Sequence, residues 1–520
     1  MRVVVLGLAL VAPGWAKEPV LPFETAEAAA PKGKLDELVF ARLKAKGIEV
    51  ARPCSDPVFV RRVYLDLIGT APTAQEARDF IDDADPKKRS ALIDKLLERD
   101  EYADYWALKW CDVLRVKAEF PINLWPNAVQ AYHRWVRTCF AQNMPYDQFA
   151  RELLTASGSN FRTPQVNFYR ALQAKTPDAI ARAVALTFMG ARAEKWPKAK
   201  LDGMAVFFNQ VAYKATAEWK EEIVYFDQFK PTMASGSRSI AAAYPDGKPA
   251  ALPPSEDPRK VFANWLIQAN NPAFAPVLVN RYWYWLVGRG IVHEPDDFRA
   301  DNAPSNPELL AYLAQELVNA KYDIKQLLRV IANSQTYQLS SIPATPHPEA
   351  EALFAHYVTR RVDAEVLIDV ICQITGSSEE YSSPIPEPFT WIPPNQRSIG
   401  LADGSISSPF LELFGRPPRD SGLDSERNNR STAAQRLHML NSSHILRKIR
   451  NSQLLRESIR GSDAGSAARR LYMLVLSRPP TNEELGHIKE YAYAGDAQGN
   501  EALVDTIWAL FNSAEFLYRH

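Results

Sequence analysis

Apolar residues recur at helical spacing along most of the chain. Within residues 57–68, Phe59, Val63 and Leu67 fall at i, i+4 and i+8, which predicts a helix with one buried face. Residues 101–116 carry Trp106 and Trp110 four apart, so both rings share one side of a helix. The same period predicts helices at 34–46, 73–82, 86–98, 127–141, 146–155 and 177–189. It then lapses. Residues 203–211 and 221–229 are rich in β-branched and aromatic side chains, which predicts short strands. Residues 235–257, dense in small residues and proline, read as a linker.

Helical spacing returns at 258–269 and 276–287. In the SNPE run at 305–308, Ser305 is placed to cap a helix, Pro307 sits in its first turn and Glu308 closes a capping box. Leu309, Leu313 and Leu317 form its apolar face. Asp323 is placed to cap the next helix, with Ile324, Leu327, Leu328 and Ile331 on one side. Further helices are expected at 349–357 and 363–375. After a long Pro/Ser/Gly-rich stretch at 376–427 they resume at 432–440, 444–460, 464–476, 482–493 and 502–511. A stretch that long without periodicity points to a functional loop or to disorder. The fold class expected is therefore mainly α. Two helical domains, 34–230 and 258–520, are joined by a linker at 231–257, with a small irregular or β insert between them.

The N-terminus changes the setting. Arg2 precedes an apolar run from Val3 to Ala12, and Gly14 and Ala16 supply the small residues of a cleavage site, the layout of a secretory signal peptide over 1–16. The run is too short to span a bilayer, and no later stretch is long and apolar enough. The mature chain is expected to be exported, periplasmic or extracellular, with no membrane span. Its 61 basic and 61 acidic side chains cancel, so no global field favours nucleic acid. The four cysteines, Cys54, Cys111, Cys139 and Cys372, allow up to two disulfides or none, and no C-x-x-C occurs.

Candidate chemistry sits in two clusters. The first is Asn280, Arg281 and Trp283 on a helix, followed by Arg289, Asp296, Asp297 and Arg299. Arg281 and Arg289 could pair bidentately with Asp296 and Asp297, as a buried knot fixing a loop. The alternative is a ligand groove, with aromatic platforms for sugar rings and arginines for sulfate or carboxylate groups. The second cluster holds Arg416, Arg419 and Arg427 in a glycine- and proline-bounded loop, able to hold an anion or to satisfy backbone carbonyls. Asp296 and Asp297 are adjacent, a poor arrangement for a glycosidase pair. Together with Asp301 and Asn302 they lack EF-hand spacing for calcium. No metal-ligand, serine-hydrolase or nucleotide-loop motif occurs, so neither metal nor cofactor is expected.

Across these residues the chain resembles the exported planctomycete-type proteins that join two domains of unknown function, a planctomycete cytochrome C-like domain and its companion. VYLDLIGTAPT at 63–73, LIDKLL at 92–97 and NMPYDQF at 143–149 carry the first resemblance. The second rests on VNRYW at 279–283, GRGIV at 288–292, DDFR at 296–299, PSNPEL at 304–309 and SQTYQLS at 334–340. It continues with FGRP at 414–417, QRLHMLN at 435–441, LSRPP at 476–480 and NSAEF at 512–516. Many members carry Cys-x-x-Cys-His after a helix like 179–189. Here the matching segment, 190–204, has neither cysteine nor histidine, so haem is not carried over. The resemblance establishes no reaction; the reading that follows is an exported, non-haem binding or scaffold protein of this family, with a polysaccharide or another exported protein as its expected partner. The alternative is an enzyme, or an enzyme partner, in breakdown of anionic, sulfated polysaccharide.

Overall fold

The computed structural model describes residues 20–230, 240–493 and 500–520; the expected signal peptide at 1–16 and the start of the linker, 231–239, lie outside the described residues. The chain is mainly α, with helices from Lys34–Ala45 to Ala514–Leu517 and only short strands. Among the described residues, no helix is long and apolar enough to cross a membrane.

Helix Asp100–Val113 is central. Trp106 and Trp110, on one side of it as their spacing predicts, are fully buried. Trp106 stacks on Tyr282 at a centroid distance of 4.7 Å, and Trp110 donates its indole N–H to the Tyr282 hydroxyl over 3.1 Å. Trp285 meets Trp110 edge-on at 6.3 Å. Tyr282 and Trp285 belong to helix Phe274–Val287, so the two expected helical units share one aromatic core. Such ring pairs each add about 0.5–1.5 kcal/mol beyond their buried area.

The C-terminal residues are stitched into the same body. Arg61 and Arg62, buried on helix Asp56–Leu67, donate to the carbonyls of Val475 (2.9 Å) and Phe516 (3.2 Å), and of Leu339 and His520 (both 2.9 Å). Strand Arg360–Arg361 pairs antiparallel with Tyr518–Arg519, setting Arg360 opposite Arg519.

Several local expectations are corrected. Residues 203–211 do not form a strand. Helix Lys198–Ala205 runs into a 3₁₀ turn, Val206–Phe208, because Leu201, Met204, Phe207 and Phe208 follow helical spacing and are all buried. The strands are Val211–Ala215 and Glu222–Phe226, paired antiparallel, with Gly158–Ser159 on the other side of the second. Asn306, not Ser305, caps helix Pro307–Asn319: its side-chain oxygen accepts the Leu309 N–H at 3.0 Å. Residues 349–357 form turns, since Phe354 takes a left-handed φ of 61° that ends any helix. The 444–460 helix is split into Ser443–Asn451 and Gln453–Ile459 by Ser452, whose hydroxyl accepts the Leu455 N–H at 3.0 Å. Asp323 does cap helix Ile324–Asn333, through Gln326 N–H at 2.9 Å.

All four cysteines are free thiols; Cys54, Cys111 and Cys139 are buried and Cys372 is half-buried. Burial pushes the Cys111 thiol up to about 12, which makes it chemically inert.

Candidate functional site

The 376–427 stretch folds as an irregular wall against helix Asp100–Val113. Arg419, in a left-handed conformation, donates to Asp112 (2.8 Å) and to the Ala402 carbonyl (2.8 Å), fixing the loop to the helix end. Arg416 donates to the carbonyls of Ile406 and Asp403 and lies 3.6 Å from Glu365. Burial lowers Arg416 to about 10. Arg427 binds Glu365 (2.7 Å) and Asp112 (2.6 Å) at once.

The first cluster forms the facing wall. Asn280, fully buried on helix Phe274–Val287, clamps the loop that follows by exchanging two hydrogen bonds with Val292, at 2.8 and 2.9 Å. Arg281 donates to Asp296 (2.8 Å) and to the Thr187 carbonyl (2.9 Å), with both partners of the ion pair almost completely buried. Asp296 spends its second oxygen on the Asp424 N–H at 2.8 Å, so the two clusters are bonded to each other. Trp283 is a core ring, edge-on to Phe354 at 5.0 Å. Arg289 pairs with neither aspartate, and Asp297 pairs locally with Arg299 at 3.1 Å. These three stand outside the assembly.

Between the walls lies an open cavity of about 610 Å³. Of the residues singled out in the sequence, Asp296 and Arg427 line it. Asn280, Arg281, Arg416 and Arg419 hold its walls from behind. Two other cavities, of about 660 and 820 Å³, lie among the C-terminal helices, and neither touches either cluster.

Sequence reading missed the residues that dominate this cavity. Lys109 and Arg519 both reach Asp363 at 2.9 Å, and Arg360 and Arg519 reach Asp66 at 2.9 and 3.4 Å. Arg360 also donates to the carbonyls of Trp285 (2.8 Å) and Leu286 (2.9 Å), closing the end of helix Phe274–Val287. The chain must turn there with a φ of 92°, and a Cβ on Gly288 would lie 3.0 Å from the Arg360 guanidinium, so glycine is required. A signal was present. Lys109 sits between two tryptophans, and Asp66, Asp363 and Glu365 interrupt apolar helical runs, where a charge survives only if paired.

Burial alone would raise the Asp363 carboxyl, but Lys109, Arg519 and Arg427 hold it well below the usual range. Asp112 is lowered by Arg427 and Arg419 against the same penalty. Asp424 goes the other way: burial first, then the charge of Asp296, pushes its carboxyl up to about 6. Burial, with Asp424 beside it, pushes the Tyr284 phenol far up.

With fold and site in place, comparison with known families gives a class. Residues 34–201 match the family described as PSCyt2, protein of unknown function (DUF1549), and residues 258–492 match PSD1, protein of unknown function (DUF1553). The chain belongs to the planctomycete-type proteins that join the cytochrome C-like domain to its companion domain. No curated protein and no solved structure matches it. The haem suggested by the first domain's label does not fit this chain. After helix Pro177–Met189, the 190–204 segment offers no thiol or imidazole, and it folds into a 3₁₀ turn and helix Lys198–Ala205.

Proposed function

We propose that the protein is an exported, non-haem binding protein of its family and that the 610 Å³ cavity is its ligand site. The observation that carries this reading is convergence. Two clusters more than a hundred residues apart in sequence are bonded through Asp296 and Asp424 and enclose one open cavity lined by charged and aromatic side chains. Its size suits a mono- or disaccharide, or one unit of a longer chain. Tyr284, Trp285 and Tyr518 supply aromatic surface beside the charges. The test fills the cavity. Ser425 is exposed, lines it and makes no side-chain hydrogen bond among the described residues, so Ser425→Trp should leave the fold intact. A glycan array and thermal-shift screen of the full chain should give a hit that this variant abolishes. A hit that survives the filled cavity would move the site elsewhere.

A second reading, an enzyme or enzyme partner in breakdown of anionic, sulfated polysaccharide, is favoured by Asp424. A carboxyl pushed up to about 6, facing the same cavity as Tyr284 and Asp296, is poised to give and take a proton near neutrality. Asp296 and Asp297 do not serve as its partner pair, because Asp296 is already committed to Arg281 and to the Asp424 N–H. Release of reducing ends from sulfated polysaccharide, lost in Asp424→Asn, would establish this reading.

A further inference from the structure

The charges around the cavity do not balance. Ion pairs within 4 Å chain six cations, Lys109, Arg360, Arg416, Arg419, Arg427 and Arg519, to only four carboxylates, Asp66, Asp112, Asp363 and Glu365. Two more arginines at the cavity have no carboxylate partner among the described residues. Arg361 is 4% exposed and is held by Gln435 and by the Phe414 ring, 4.8 Å away. Arg430 is exposed and forms no ion pair.

The carboxylates that line the cavity do not cancel this excess. Asp363 belongs to the network, Asp296 is taken by Arg281, and Glu294 by Arg192 at 2.8 Å. Asp424 alone lacks an ion pair among the described residues. The protein's own acceptors also fall short. Nη1 of Arg360, Nη2 of Arg361 and Nε of Arg519 are buried with no hydrogen-bond partner among the described residues. Their guanidinium charge therefore adds to the positive wall of the cavity without a carboxylate set against each one. A cleft backed by surplus buried cations concentrates anions, because the low-dielectric wall focuses the field into the opening.

We propose that the ligand of this cavity carries an oxyanion, a carboxylate, sulfate or phosphate group. Arg430 on the rim contacts it, and the buried arginines behind supply the positive potential. This rests on the cavity being the ligand site. An oxyanion suits the site chemically: guanidinium forks match its geometry, and its charge offsets the surplus.

The experiment is isothermal titration of the full chain at low ionic strength, with chloride matched throughout. The probes are inorganic sulfate, inorganic phosphate, galacturonate, glucose 6-sulfate and uncharged glucose. At least one oxyanion probe should bind, glucose should not, and Arg430→Glu should weaken binding at least tenfold. Arg430 is exposed and unpaired, so this variant should fold, which an unchanged melting temperature would verify. If glucose 6-sulfate or galacturonate binds more tightly than the free ions, the natural source is a charged sugar; if sulfate or phosphate binds as tightly, it is the free oxyanion. Binding of glucose as tight as glucose 6-sulfate, blocked by Ser425→Trp, would overturn the oxyanion inference and keep the cavity. Oxyanion binding that persists in Ser425→Trp would overturn the cavity and the inference with it. No binding of any oxyanion probe would overturn the inference alone.

Discussion

Two buried charge assemblies meet at the same cavity, and they are built differently. Arg281 and Asp296 form a one-to-one pair, each with a further hydrogen bond to the backbone: the Thr187 carbonyl on one side, the Asp424 N–H on the other. The network around Asp66, Asp112, Asp363 and Glu365 carries more cations than carboxylates and, among the described residues, leaves several guanidinium nitrogens without an acceptor. A closed pair fixes a loop and is complete within the chain. An unbalanced network stores positive charge at a cavity wall, at a cost in stability that a bound anion offsets. Stoichiometry, more than the mere presence of buried charge, separates the two assemblies.

The largest effect should come from breaking the closed pair. Arg281→Met strands Asp296 without its cation and should cost about 3–5 kcal/mol, measured by urea denaturation. The double variant Arg281→Met/Asp296→Leu, which removes both charges, should recover most of that loss. A single variant as stable as the parent would mean that the pair is not a pin.

Acid should act on the other assembly. Asp363 and Asp112 have folded pKa values depressed by their arginines. Their contribution is therefore fully present above the unfolded carboxylate value, about 4, and is lost as pH falls through the lower folded values. Unfolding free energy should fall steeply as pH drops below about 4, and Asp363→Asn should flatten that fall. Equal acid sensitivity in the variant would detach Asp363 from the effect.

Much of the scaffold was legible from periodicity. Trp106 and Trp110 four apart, and the Asp323 cap with its apolar stripe, describe local events that the chain itself dictates. The misses occur where a tertiary contact decides. Phe354 leaves helical geometry to receive Trp283, and Ser452 interrupts a helix whose apolar pattern runs through it. The site was half legible. Its two arginine clusters stand out as runs, whereas Lys109, Arg360, Arg361, Asp363 and Arg519 are scattered singly over the chain. Only the pairing of strand Arg360–Arg361 with Tyr518–Arg519 brings the last of them to the cavity.

Removing a surplus charge should show the opposite sign to breaking the pair. Arg361→Met keeps an apolar stem over Phe414 and deletes a desolvated guanidinium that forms no ion pair within 4 Å among the described residues. The ligand-free protein should be unchanged, or more stable by about 1–2 kcal/mol, read from urea denaturation. A loss of about 2 kcal/mol or more would show that Gln435 and Phe414 already compensate the charge and that the network is closed after all.

The smallest effect is expected at Asp424, and it tests both assemblies together. Its carboxyl, pushed up to about 6, lies above the unfolded value of about 4, so the folded state holds this proton longer. The contribution is therefore most favourable at pH 4 and below and declines as pH rises towards 6. Asp369, also pushed up to about 6 by burial, acts in the same window, so Asp424→Asn should remove only part of the slope. Near pH 7 the variant should gain about 1 kcal/mol at most, because Asp424 is partly open to solvent. Binding gives the sharper reading. Among the described residues, Asp424 is the one carboxyl lining the cavity without an ion pair, so above pH 7 it opposes an incoming oxyanion. Asp424→Asn should tighten binding of the oxyanion probe several-fold at pH 8 and make little difference at pH 5, where the parent carboxyl is itself mostly protonated. Weaker binding at pH 8 would instead make Asp424 a ligand contact, and the surplus of positive charge would no longer explain what the cavity selects.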